Sequence, residues 1–156
     1  MTEFEKLETI VRKLRAPDGC PWDREQTHET LKATCIEEAA EVVCGINILN
    51  ERGDSSNLRE ELGDLLLQVI FHAQMAEDEG LFTMDDVIRD ISRKMIRRHP
   101  HVFEDRSMTE EDARAAWDEI KKREKAGREW ENDFLKEAFD ESERLIDRAR
   151  ARKGFK

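Results

Sequence analysis

The chain has 156 residues, of which 41% are charged and 38% hydrophobic, and its formal net charge is -10. That length suits one domain with a thin core, completed by burial between subunits. The acidic balance argues against general binding to nucleic-acid polymers or anionic membranes, and the apolar runs are too short to span a bilayer.

Phe4, Leu7, Ile10, Val11 and Leu14 recur at helical spacing and predict a first helix that stops near Ala16 and Pro17. The stretch from Pro17 to Thr27 has no periodicity and is expected to be an irregular loop carrying Cys20 and Trp22. A second helix is expected from Glu29 to Asn50, with Leu31, Ile36, Ala40, Val43 and Ile46 or Leu49 on its apolar side. Gly53, Asp54, Ser55 and Ser56 break it, and Ser55 or Ser56 can cap a third helix that ends at Glu79 and Gly80. Thr83 can cap a fourth, whose stripe is Val87, Ile91 and Met95 and which Pro100 ends near Arg98. Thr109 can cap a shorter helix with Ala113, Ala116, Trp117 and Ile120. Gly127 interrupts the pattern, Phe134 to Arg150 forms a last helix, and the final ARKGFK is expected to fray as a solvated tail. No segment alternates at period two for long. The fold class is therefore all-α, with the middle helices forming an antiparallel bundle. The expected layout is one domain over residues 1–126 and a helical extension over 127–156.

The opening MTEFEKLE carries acids where a signal peptide needs a basic region and an apolar stretch. Cys20, Cys35 and Cys44 are an odd set without CxxC spacing, so a disulfide framework is not expected and a reducing, cytoplasmic compartment is. Cys35 and Cys44 are expected to be small helix residues near the core.

The acids carry the strongest chemical signal. Glu37, Glu38 and Glu41 lie on the second predicted helix, and Glu61 and Asp64 repeat the three-residue spacing on the third. On a helix such pairs converge. Convergence costs roughly 0.2–0.5 kcal/mol per pair on an exposed face, and more among apolar neighbours such as Ile36, Ala40, Leu62 and Leu65. A divalent cation reverses that penalty, and Mg²⁺ combines carboxylates with waters and substrate phosphates. A solvated acidic face is the alternative. Gly63 sits inside this pattern at a helix-propensity cost of about 0.8–1.0 kcal/mol, which either close helix approach or space for a substrate would justify.

Lys94, Arg97 and Arg98 concentrate positive charge on one side of the fourth helix, where arginine forks suit phosphate oxygens. Pairing with the surplus acids is the competing account. Trp22 can stack on a base or close one end of the core, and Trp117 is ambiguous in the same way. His99 and His101 lack metal-site spacing, so capping or packing roles suffice for them, and His28 needs no metal either, with contact to a base or stabilisation of the loop as its alternatives.

In this order, GCPWDREQTH, EEAAEV, EELGDLL, FHAQMAEDEG and KMIRRHPHVF resemble the MazG family of nucleoside triphosphate pyrophosphohydrolases, over roughly residues 5 to 123. The resemblance implies an all-α fold whose subunits pair to build bundles, as a homodimer or a dimer of dimers. It implies Mg²⁺-dependent cleavage of nucleoside triphosphates to monophosphates and pyrophosphate. The family's metal-ligand pattern falls on Glu38, Glu41, Glu61 and Asp64, with Glu37 a further candidate ligand or water base. Glu37 or Glu38 would accept the water's proton, and Lys94, Arg97 and Arg98 would hold and stabilise the phosphates. Trp22 matches the loop aromatic, and Trp117 with Lys121 matches a later tryptophan–lysine region. A pyrophosphohydrolase for a specialised nucleotide, such as phosphoribosyl-ATP or a modified dNTP, is the enzymatic alternative. A non-catalytic nucleotide-binding interaction protein is the other.

Overall fold

The computed structural model describes residues 1–104 and 107–155, and among them every regular element is a helix. The helices are α1 (Glu3–Arg15), α2 (Pro21–Glu25), α3 (Lys32–Arg52), α4 (Ser56–Asp78), α5 (Met84–Arg98), α6 (Pro100–Phe103), α7 (Glu110–Lys125) and α8 (Glu131–Arg152). The all-α expectation holds. Two compact units divide the chain: Met1–Met84 together with the chain from Asp140 onward, and Asp85–Phe139.

In the first unit, α1 starts from a reciprocal cap. The Glu5 amide donates to Thr2 Oγ1 at 3.2 Å, and the Thr2 amide donates to Glu5 Oε2 at 2.6 Å. Val11 of α1 is fully buried against Leu31 and against Ile70, Phe71 and Met75 of α4, with Phe4, Leu7, Leu67 and Met84 packed around them. Arg15 closes the end of α1 through an ion pair with Asp78 at 3.1 Å.

The stretch expected to be an irregular loop contains α2. Proline at its first turn lacks an amide that the helix would leave unpaired anyway. Arg15 Nη1 donates to the carbonyls of Asp23 at 2.8 Å and Gln26 at 3.2 Å, which ties α2 to α1. So short a helix is marginal by itself and draws on such contacts from a neighbouring element, and no apolar periodicity announces it.

The second expected helix begins three residues later than the spacing suggests, at Lys32. Thr27 and Thr30 exchange side-chain to amide hydrogen bonds at 2.9 and 3.2 Å, and that turn competes with the first helical turn. His28, in the same turn, stacks on His72 of α4, with their Nδ1 atoms 2.7 Å apart. At the other end of α3, Gly53 takes the left-handed conformation that turns the chain toward α4. Neither Ser55 nor Ser56 caps α4 with its side chain as expected. Asp54 Oδ1 instead accepts the Ser56 amide at 2.9 Å and the Ser56 hydroxyl at 2.6 Å.

α3 and α4 run antiparallel. Gly45 lies against Leu58, Glu38 faces Glu61 and Asp64, and Cys35 reaches His72. A Cβ on Gly45 would come within 2.7 Å of Leu58 Cα, whereas one on Gly63 would meet no atom within 4 Å. Close helix approach therefore belongs to Gly45, and open space to Gly63.

The expected frayed tail is a correction. α8 continues to Arg152, and Gly154 turns left-handed. The Phe155 amide donates to the Arg150 carbonyl at 2.9 Å and the Gly154 amide to the Ala151 carbonyl at 3.2 Å. Together they form a Schellman turn that fixes the end of the helix. Lys156 lies outside the described residues.

In the second unit, α5 ends at Arg98 as Pro100 requires, but the proline then opens the short α6, which the periodicity did not announce. Thr109 caps α7 as expected, accepting the Asp112 amide at 3.2 Å. The first part of α8 belongs to this unit, where Trp130 and Phe134 meet edge to face.

Candidate metal centre

Side chains three and four apart on facing helices bring carboxylates into one space. Glu38 from α3 and Glu61 and Asp64 from α4 each offer an oxygen, and these atoms lie within 4.8 Å of one another. Glu61 is buried and accepts a hydrogen bond from Asn57 Nδ2 at 2.8 Å. Asn57, one helical turn earlier, was not singled out from the sequence, although the four-residue spacing contains the signal.

Burial, and then the nearby carboxylates of Glu41, Asp64, Glu61 and Glu37, push the Glu38 carboxyl above its ordinary range. A group of acids in this state is under electrostatic tension. An all-oxygen donor set of this kind suits a hard divalent cation, which supplies the missing positive charge. The residues present therefore fit a metal ion.

Two of the expected residues have cationic partners from the end of α8. Arg152 and Lys153 both pair with Glu37, the latter at 3.1 Å, and Lys153 also pairs with Glu41. The Arg152 hydrogen bond holds the Glu37 carboxyl below its ordinary range. As free carboxylates, Glu38 is thus the stronger base of the two. Nothing local marks Arg152 and Lys153 as neighbours of α3, since they lie more than a hundred positions away in the chain. A cavity of about 690 Å³ opens between α3 and the end of α8, with Glu37, Glu41, Glu61 and Lys153 in its wall. Cys44, expected near the core, is exposed on this wall.

Trp22 is exposed on α2 and does not close the core. The remaining expected substrate contacts belong to the second unit. Arg97 and Arg98 both pair with Glu124, and Arg98 Nε donates to Glu124 Oε2 at 2.9 Å. Their hydrogen bonds hold the Glu124 carboxyl low. The guanidinium of Arg98 also lies 4.9 Å from the ring centre of Trp117, which His99 meets edge-on. Pairing with surplus acid is thus realised for both arginines, and Glu124 is the group that sequence reasoning missed. Lys94 is half-buried on α5, and Lys121 is exposed on α7. His99 Nδ1 donates to the Met95 carbonyl at 2.6 Å, a packing role of the kind expected.

Residues 26–103 match the family described as the MazG nucleotide pyrophosphohydrolase domain. The chain is 53% identical over 124 residues to the uncharacterized protein YabN of Bacillus subtilis, covering 79% of this chain and 24% of that one. It is 51% identical over 122 residues to a nucleoside triphosphate pyrophosphohydrolase/pyrophosphatase MazG of Thermotoga maritima, covering 78% and 45%. A nucleoside triphosphate pyrophosphohydrolase of Escherichia coli is 47% identical over 128 residues, covering 81% and 47%. The chain thus spans half the length or less of these curated relatives. No helix among the described residues is long and apolar enough to cross a membrane.

Proposed function

The chain belongs to the MazG nucleotide pyrophosphohydrolase family, and from that premise we propose that it hydrolyses nucleoside triphosphates to monophosphates and pyrophosphate with Mg²⁺. The observation that carries this reading is the convergence of Glu38, Glu61 and Asp64 within 4.8 Å. These three, with Glu41 as the fourth carboxylate, would hold the ion. Bound there, Mg²⁺ offsets charge on the polyphosphate and makes a water more acidic.

The chain's own residues do the rest. Glu37 or Glu38 takes the proton of the attacking water. Lys94, Arg97 and Arg98 position the phosphates and offset their developing charge. Trp22, Trp117 and Lys121 contact the nucleotide, with the indoles offering stacking surfaces. Residues 1–126 form the pyrophosphohydrolase domain and 127–156 an extension. The protein works as a homodimer or a dimer of dimers, a reading supported by the apolar side chains that α3 and α4 leave exposed, among them Val43, Ile46, Leu66 and Val69. Its three free cysteines suit a reducing cytoplasm.

Rapid-quench chromatography with inorganic pyrophosphatase omitted tests the reaction. One NMP and one pyrophosphate per NTP, without transient NDP, is the expected result. Early NDP with phosphate overturns it.

A further inference from the structure

The end of α8 is built into the carboxylate site. Its last turn is closed by the Schellman hydrogen bonds at Gly154 and Phe155. Lys32 and Glu141 add an ion pair between α3 and α8 at 3.3 Å. Ile146, Ala149 and Phe155 line the cavity opposite Ile36, Ala40 and Val43. This framework delivers Arg152 to Glu37, and Lys153 to both Glu37 and Glu41. Glu61, a member of the converging carboxylate group, lies in the wall of the same cavity.

Glu41 shares a helix face with Glu38, yet its carboxylate rests on Lys153, while Glu38, Glu61 and Asp64 converge. We propose that Lys153 is an intramolecular counter-ion that competes with the divalent cation for Glu41, so that the fourth carboxylate joins the metal site more readily once Lys153 leaves it. The inference rests on the metal-site reading given above. An ammonium and a divalent cation sharing one carboxylate repel each other, and neither can take the oxygen the other holds. Each therefore weakens the other's hold on Glu41. By linkage, whatever Lys153 takes from metal affinity, the metal takes from the docking of the α8 end. Lys153 is a positioning residue, acting through Glu41.

Mn²⁺ alone, another cation suited to oxygen ligands, serves as the probe, with the free ion counted by electron paramagnetic resonance in the absence of nucleotide. Lys153→Gln is expected to tighten Mn²⁺ binding roughly two- to fivefold, the range of a partly exposed ion pair. Arg148→Gln, which removes an exposed charge from the same helix, is expected to leave it unchanged. In an E41Q background the gain from K153Q is expected to vanish. Hydrogen exchange at the Gly154 and Phe155 amides should speed up when wild-type protein takes up Mn²⁺, a response that a purely structural lysine does not give. Mn²⁺ binding that Asp64→Asn weakens but K153Q leaves equal or weaker overturns the inference and spares the metal site. Mn²⁺ binding indifferent to D64N overturns both.

Discussion

Gly45 of α3 lies directly against Leu58 of α4: a Cβ on the glycine would sit 2.7 Å from the leucine Cα. That contact sets the register of the hairpin. A one-residue slip turns a helix by about 100° and would carry Glu38 away from Glu61 and Asp64. Gly45→Ala is expected to lower stability by about 1–3 kcal/mol through overpacking against backbone. Gly63→Ala, in open space, should raise it by roughly 0.8–1.0 kcal/mol through helix propensity. Urea unfolding of both variants in EDTA checks the pair, and equal shifts would defeat the assignment.

Asp64→Asn keeps the size of the side chain and removes its charge. Turnover with Mg²⁺ is expected to fall by about a hundredfold or more, with the helical circular dichroism spectrum retained. Near-normal turnover in the folded variant would sink the site.

Arg97 and Arg98 share Glu124 but differ in setting, with side chains 53% and 13% exposed. Arg97→Met should raise KM for the triphosphate by roughly three- to tenfold with Tm unchanged, because it removes a phosphate fork from an exposed position. Arg98→Met should raise KM and also lower Tm, since it removes a largely buried guanidinium from between Glu124 and Trp117. Unchanged KM in both variants would leave the arginines a purely structural role.

Glu38 sets a pH dependence in the metal-free protein. Burial, followed by the neighbouring carboxylates, raises its folded-state value, so the folded protein holds its proton more tightly than the unfolded chain does. Its favourable contribution is complete below the ordinary carboxylate value, about pH 4, and is lost as pH rises through the elevated one. Glu38→Gln mimics the protonated form. In EDTA it should melt at a higher temperature than wild type at neutral pH, and the gap should close on acidification. Parallel melting curves across that range would contradict the assignment.

Assembly is testable through the exposed apolar face. Light scattering is expected to give a dimer or a dimer of dimers. Val69→Glu, which places charge on the exposed stripe that Leu62, Leu66 and Val69 form along α4, should shift the population toward monomer. A wild-type protein that is active and monomeric at assay concentration would rule out the need for pairing.

The helices long enough to show a 3.6-residue period were legible in the sequence, and so was the Glu61–Asp64 half of the cluster, a local spacing on one helix, whereas α3 contributes Glu38 without its three-residue neighbour Glu41. The remainder is set by contacts between separate elements, which no single helix's spacing encodes. α2 depends on Arg15 reaching the Asp23 and Gln26 carbonyls. The ends of Glu37 and Glu41 are decided by Arg152 and Lys153, whose own neighbours in sequence describe only a basic tail. Glu124 is one acid among many on an acidic chain until the fold brings Arg97 and Arg98 to it.

The stacked histidines carry a direction. Burial raises the Cys35 thiol above its usual range, so it keeps its proton and can donate to His72 Nε2, 3.3 Å away. Burial, with His28 beside it, lowers His72, which stays neutral. With Nε2 accepting, the ring's single proton belongs on Nδ1, facing His28 Nδ1 at 2.7 Å. His28 Nδ1 then accepts the hydrogen bond from that proton. The tautomer of His72 is thereby set by Cys35 of α3 on one side and by the turn after α2 on the other, and an extra proton on that imidazole would take away the lone pair to which the thiol donates.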